Sequence, residues 1–244
     1  MKRISCLSAL LALVGCATLL PQNPPAGLPA QVPAPNIQVG DRWSYAVHDG
    51  YTKLPKGTVE YRVSAVAGDI VTTEVRHRER VTTEHYTRDG GWREKPMTNL
   101  QNFHYDPPYP ALPFPLEAGK SWRAYVKATD PATGRTNRVR IDGTVLGWER
   151  IRVPAGEFDA IKVRRVVYAG NFDYFRSEER IVELDWYSPQ VGMLVKMERS
   201  SEYYDARSGC GNGGLLGGYC GPVSNDWNVS ELVGRQDRRA GGTP

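Results

Sequence analysis

Apolar and polar residues alternate at period two along most of the chain. The pattern is clear over residues 41–47 (DRWSYAV), 59–66 (VEYRVSAV) and 70–75 (IVTTEV). It returns over 122–127, 137–141, 144–153, 158–168, 180–186 and 193–203. Such alternation predicts strands with one buried face, and the intervening HDG, AGD, RDGG, DPATG, VPAG and SPQVG predict turns. No stretch of a dozen residues carries a 3.6-residue period. The order predicts an all-β, mainly antiparallel meander that forms a curved sheet, a half-barrel or a small barrel.

A second regularity lies within the first. Val39-Gly40-Asp41-Arg42-Trp43 resembles Ala118-Gly119-Lys120-Ser121-Trp122, about 80 residues later. Each Gly-x-x-Trp opens a strand. Two duplicated β units (38–104 and 112–204) would produce this echo, and so would two strand starts that share a turn. Between them, residues 105–119 (YDPPYPALPFPLEAG) read as a proline-rich extended crossover. Its aromatic residues Tyr105, Tyr109 and Phe114, with Trp43 and Trp122, are the candidate ligand-binding side chains. A structural reading stands beside this one, with both tryptophans as core anchors.

The N-terminus adds a location. Lys2 and Arg3 precede an apolar run from Leu7 to Val14, too short to span a membrane, and the pattern is that of an export signal over residues 1–15. Leu13-Val14-Gly15-Cys16 resembles the lipobox of bacterial lipoproteins. That resemblance implies cleavage before Cys16, acylation of Cys16 and a stable lipid anchor. Ala17 follows, with no aspartate to imply inner-membrane retention. In a Gram-negative cell, the implied location is the periplasmic face of the outer membrane. Residues 21–35 (PQNPPAGLPAQVPAP) carry no charge and few large apolar groups, so 16–37 reads as a polyproline-like tether.

This compartment decides the cysteines. Cys6 leaves with the signal and Cys16 takes the lipid, so Cys210 and Cys220 remain as a pair under oxidising conditions. The expected product is a disulfide that closes a glycine-rich loop. The region 205–244 is then that loop, a candidate last strand and a frayed tail. The loop lacks the strand, lysine and hydroxyl of a phosphate cradle, the extra ligands of a zinc site and the spacing of a redox motif.

Composition limits the partners. The net charge is +4, and removing Lys2 and Arg3 leaves 29 basic against 27 acidic residues. That balance argues against nucleic acid. Four histidines are present, and none sits in HExxH; there is no G-x-S-x-G. His77 and His85 would lie about 26 Å apart on one strand, and Arg76, Arg78 and Arg80 crowd them with positive charge. Glu179, Glu183 and Asp185 would share a strand face, with Glu178 on the other. Arg176, Arg180 or Lys196 nearby would lower an acid's pKa, so cross-strand ion pairs explain the carboxylates. The sequence therefore predicts no catalytic residue, no metal site and no cofactor.

Finally, VPAGEFDAIKV (153–163) followed by WYSPQVGMLVK (186–196) resembles the paired signature of a family of bacterial exported proteins and lipoproteins. The resemblance covers the second half of the mature chain. It implies a half-barrel like that of periplasmic lipoprotein carriers, and it implies no activity. The expectation is a non-enzymatic outer-membrane lipoprotein that binds an apolar or amphipathic, lipid-like ligand or an envelope protein. The alternatives are a structural accessory of an envelope complex with no small ligand and, third, an envelope hydrolase.

Overall fold

The computed structural model describes residues 20–96, 102–170, 179–203 and 223–236. Its twelve strands are β1 (Arg42–Asp49), β2 (Pro55–Ala67), β3 (Ile70–His77), β4 (Arg80–Thr87), β5 (Gly91–Pro96), β6 (Asn102–Pro110), β7 (Ser121–Thr129), β8 (Thr136–Val153), β9 (Gly156–Ala169), β10 (Glu179–Ser188), β11 (Met193–Tyr203) and β12 (Val223–Gln236). There is no helix among the described residues. Each strand pairs antiparallel with the next, and β12 pairs with β1, so the meander closes into a barrel.

The all-β antiparallel expectation holds, and of its three forms the barrel holds over the curved sheet and the half-barrel, with twelve strands rather than a small ring. The closing ladder runs from Arg42 opposite Gln236 to Asp49 opposite Asn228. It gives both edge strands a partner, which an open sheet would leave unpaired. Ring size matters as well. An eight-strand barrel is filled by its own side chains, whereas twelve strands enclose more room.

The alternation sets the two faces. On β3, Val71, Thr73 and Val75 are buried or nearly so, while Arg76 and His77 at its end are exposed. The outer wall carries ion pairs such as Arg62–Glu74 and Arg123–Asp142. A barrel that crosses a bilayer needs an apolar outer band there instead.

The Gly-x-x-Trp echo has one local structure in both places. Gly40 and Gly119 both take positive φ, at 93° and 85°. Gly40 N–H donates to Val63 O, and Gly119 N–H to Val145 O, at 2.9 and 2.8 Å. Each valine N–H returns a bond to the residue after the glycine. Trp43 and Trp122 open β1 and β7, the first strands of two six-strand runs. The segment expected as a crossover is partly a strand, since β6 includes Tyr105 through Pro110.

The tether reading needs correction. Residues 20–36 lie against the barrel end formed by the β6–β7 connection. Val32 is fully buried, and it exchanges two 2.8 Å hydrogen bonds with Leu116. Trp148 N–H donates to Pro21 O at 2.8 Å, beside a bulge at Gly147 whose φ is 132°. A side chain at Gly147 would meet Pro21 O at 2.6 Å. Most of the segment stays exposed, and it is held by Val32 and Leu28, which pack on the cluster of Leu116, Trp148 and Ile161. This end, which holds the turns after β2, β4, β6, β8 and β10, is called proximal below; the other is distal.

The quoted 153–163 and 186–196 motifs meet in one apolar cluster. Val153, Phe158 and Ala160 pack with Trp186, Met193 and Val195, and Ala155 N–H donates to Leu232 O on β12 at 2.9 Å. The break in alternation at Ala160-Ile161 reads as a bulge or a two-sided strand, and the second holds: both residues are fully buried, in different clusters, while the extra residue of the ladder is on β8, between Val145 and Gly147. The 186–196 motif also contributes Tyr187, Val191, Met193 and Leu194 to the wall of the cavity described below.

Candidate functional site

Half of the lumen is solid. Tyr105, Tyr109, Val126, Val139, Ile141, Val167 and Ile181 fill the side of β6–β10. The other half holds a cavity of about 850 Å³, bounded by β1–β5, β9–β12 and residues 35–37. That volume suits a small organic ligand.

One wall is apolar and aromatic. Trp43, Tyr45, Val47, Val59, Tyr61 and Val75 project into it from β1–β3. They do so because the inward positions of these strands are the apolar set of the period-two pattern. Trp43 stacks on Tyr61 with centroids 6.2 Å apart and planes 9° apart, and Tyr45 meets Tyr61 edge-on at 5.6 Å. Burial pushes the hydroxyls of Tyr45, Tyr61 and Tyr86 well above the usual phenol range, so they stay protonated. Tyr45 O–H donates to Leu194 O at 2.7 Å.

The facing wall is ionic. Arg165 on β9 is 1 % exposed, Glu183 and Asp185 on β10 are 3 % and 5 %, and Glu84 on β4 is 3 %. Arg165 Nε donates to Glu183 Oε2 at 2.8 Å, its second nitrogen to Asp185 Oδ2 at 2.6 Å and its third to Ala111 O at 2.7 Å. Tyr109 O–H donates to Glu183 Oε2 at 2.7 Å, and Arg199 Nε lies 3.4 Å from Glu183 Oε1. Lys95 Nζ bonds Glu84 at 2.9 Å and Tyr86 Oη at 3.2 Å, with the Tyr86 hydroxyl also on Glu84. Lys95 also stands 5.2 to 5.8 Å from the rings of Trp92, Tyr86 and Tyr61.

The two carboxylates on β10 titrate in opposite directions. Burial raises Glu183, but Arg165, Arg199 and the Tyr109 hydroxyl outweigh it and leave it below the carboxylate range. Burial also raises Asp185; Arg165 opposes this, the Glu183 charge adds to it, and the result stays above the usual value. For Arg165, burial works against the charge, and Asp185 and Glu183 more than restore it. Two guanidiniums against one explain the difference between the acids.

Of the side chains expected at a ligand site, Trp43 and Phe114 line the cavity. Phe114 meets Tyr187 edge-on at 5.2 Å. Tyr105 and Tyr109 lie in the filled half, with Tyr109 supporting Glu183 from behind. Trp122 covers Gly143 on the neighbouring strand, where it packs on the proximal cluster rather than on the cavity. Cys16, Cys210 and Cys220 lie outside the described residues.

Glu183 and Asp185 share a face as the spacing predicts, and among the described residues they pair with Arg165 rather than with Arg180 or Lys196, while Arg176 lies outside the described residues. Arg180 pairs with Glu202 instead, and Lys196 with Glu198. Arg165 is the inward member of an Arg164-Arg165 pair inside an apolar strand, and that inward parity was the available signal. His77 lines the cavity, whereas His85 bonds Glu94 at 2.8 Å on the other face of the sheet, together with His104. No group of metal-binding side chains forms among the described residues.

No protein-family model matches the chain, and no curated protein matches it in sequence. Solved structures do resemble it. A protein described as a lipoprotein of Parabacteroides distasonis is 16 % identical, with a TM-score of 0.45 over 86 % of this chain and 100 % of that one. An exported Bacteroides fragilis protein with a YmcC-like fold is 13 % identical, again at 0.45, over 85 % and 100 %. The hypothetical lipoprotein YmcC of Escherichia coli is 8 % identical, at 0.40, over 81 % and 86 %.

Proposed function

We propose that this chain is a non-enzymatic, lipid-anchored binding protein of the cell envelope that holds an amphipathic ligand in the lumen of its barrel. The observation that carries the reading is the cavity of about 850 Å³ between an aromatic wall and an ionic one. A core that existed only for stability would fill this space, because unfilled volume costs stability. Leu13-Val14-Gly15-Cys16 supports the anchor, on the periplasmic face of the outer membrane in a Gram-negative cell. Three residues separate Cys16 from the docked Leu20, which puts their Cα atoms at most about 14 Å apart. An acylated Cys16 would therefore hold the proximal end near the headgroups.

The raised Asp185 favours a hydrolytic reading, but its carboxylate is held by Arg165, which sits in the same buried cluster. The geometry suits a fixed hydrogen-bonding surface better than a group free to give up a proton. Native mass spectrometry of the chain from Ala17 onward, expressed in the periplasm and purified without detergent, tests binding. A reproducible added mass that leaves on denaturation is expected. A clean, empty mass from cells in which the full protein is active in the envelope would overturn the reading in favour of a structural accessory.

A further inference from the structure

The polarity of the cavity is reversed from that of a pocket built for an acyl tail. Its middle carries Lys95, Arg165 and Arg199 against Glu84, Glu183 and Asp185, three charges of each sign. Lys95 and Arg199 are the members of this set whose side chains stay partly exposed, at 17 % and 27 %, and an alkyl chain laid over them would strip their water and return no hydrogen bond, which is costly. An ionised headgroup fares little better, since each buried charge already has an opposite partner. Neutral hydroxyls fit: they can accept from the partly exposed Lys95 ammonium and Arg199 guanidinium without bringing in a further charge. The half-buried Trp43 and Tyr61 rings on the other side of the space supply aromatic surface for the C–H face of a sugar ring.

Apolar lining concentrates toward the proximal end, where Ile37, Leu112, Phe114, Val191, Met193 and Leu194 border the cavity. The charged side chains Asp41, Arg88 and Arg235 also border the cavity at that end. The N-terminal segment docks at the same end, with Pro35 and Ile37 in the cavity wall and Val32 paired to Leu116.

We infer that the ligand is a glycolipid-type amphiphile, bound with its neutral, hydroxyl-rich headgroup inward on the ionic wall and its apolar chain leaving at the proximal end. This rests on the binding reading above and specifies its chemistry. A ligand so held would pass between cavity and bilayer tail-last on entry and tail-first on exit, at the end that the Cys16 anchor keeps near the membrane.

The test uses the chain from Ala17 onward, which contains all twelve strands, with Trp43 and Trp92 as fluorescence reporters. The probes are dodecyl maltoside below its micellar concentration, maltotetraose and dodecanoate. Dodecyl maltoside should bind at least tenfold more tightly than dodecanoate, and maltotetraose should bind more weakly than the maltoside. Lys95→Met should weaken both sugar probes at least tenfold while leaving dodecanoate unchanged, and Lys95→Arg should restore most of the loss. Phe114→Ser should weaken the maltoside and spare maltotetraose, which keeps the inference testable if Lys95→Met fails to fold. Dodecanoate binding as tightly as the maltoside, with no response to Lys95→Met, would overturn the head-inward mode and leave the binding reading standing. Failure of all three probes would overturn the head-inward mode too; with an empty native mass as well, the binding reading itself fails.

Discussion

Replacing Arg165 by Met probes the ionic wall most directly. The guanidinium is 1 % exposed and holds Glu183 and Asp185 at 2.8 and 2.6 Å. Its loss leaves Asp185 with no guanidinium in contact, while Glu183 keeps Arg199 at 3.4 Å and the Tyr109 hydroxyl at 2.7 Å. Breaking a buried ion pair by removing one partner costs about 3–5 kcal/mol, and the partners left to Glu183 place this case near the lower figure. At about 2–4 °C per kcal/mol for a domain of this size, the melting temperature should fall by about 6–12 °C. The deficit must depend on pH, and its sign is fixed. Asp185 already titrates above its usual range, and losing Arg165 raises it further. A carboxyl whose folded pKa lies above its unfolded value destabilises the fold once pH exceeds that folded pKa. The penalty disappears as pH falls below the unfolded value of about 4. The difference in melting temperature between variant and wild type, followed by circular dichroism from pH 8 to pH 4, should therefore shrink. Adding Asp185→Asn should recover much of the loss at pH 8. A drop of less than about 3 °C at pH 8, or a deficit that does not change with pH, would refute the account of this network.

The packing predictions are simpler. A side chain at Gly143 would overlap the Trp122 ring, so Gly143→Ala should cost about 1–3 kcal/mol by overpacking, read as a lower urea midpoint with an unchanged slope. Were the midpoint to stay put, Trp122 would not be seated on Gly143. Val32→Asp places a charge at a fully buried site that joins the N-terminal segment to Leu116. Limited proteolysis should then cut within residues 20–36 while the barrel keeps its circular dichroism, and an unchanged digestion pattern would contradict the docking. Alkylation of the denatured, unreduced mature chain should find neither Cys210 nor Cys220 free. Serine at both should cost slightly under about 3 kcal/mol and leave membrane attachment intact, and labelling of either thiol would end the disulfide reading.

Strand identity is a local property, and it was legible. Period-two alternation and turn residues mark most of the strands because the inward positions are apolar wherever the lumen is filled. The two Gly-x-x-Trp openings are equally local, since each needs only a glycine at positive φ and a tryptophan one strand position into the sheet. Cross-strand ion pairing of Glu183 and Asp185 follows from their shared parity.

Partnership across the sequence is not local. Whether β12 returns to β1 depends on accumulated twist and stagger, which no single segment contains. Choosing Arg165 over Arg180 as the partner of Glu183 depends on the β9–β10 register and on which arginine faces inward. Closure then decides that half of the lumen is filled by Tyr105 and Tyr109 while the other half stays open before Trp43, so similar aromatic residues become core in one place and cavity wall in another. The uncharged, proline-rich segment after Leu20 looks like a tether in isolation, because little within it can bury Val32. Only the folded barrel supplies the Leu116 backbone and the apolar surface that bind it down.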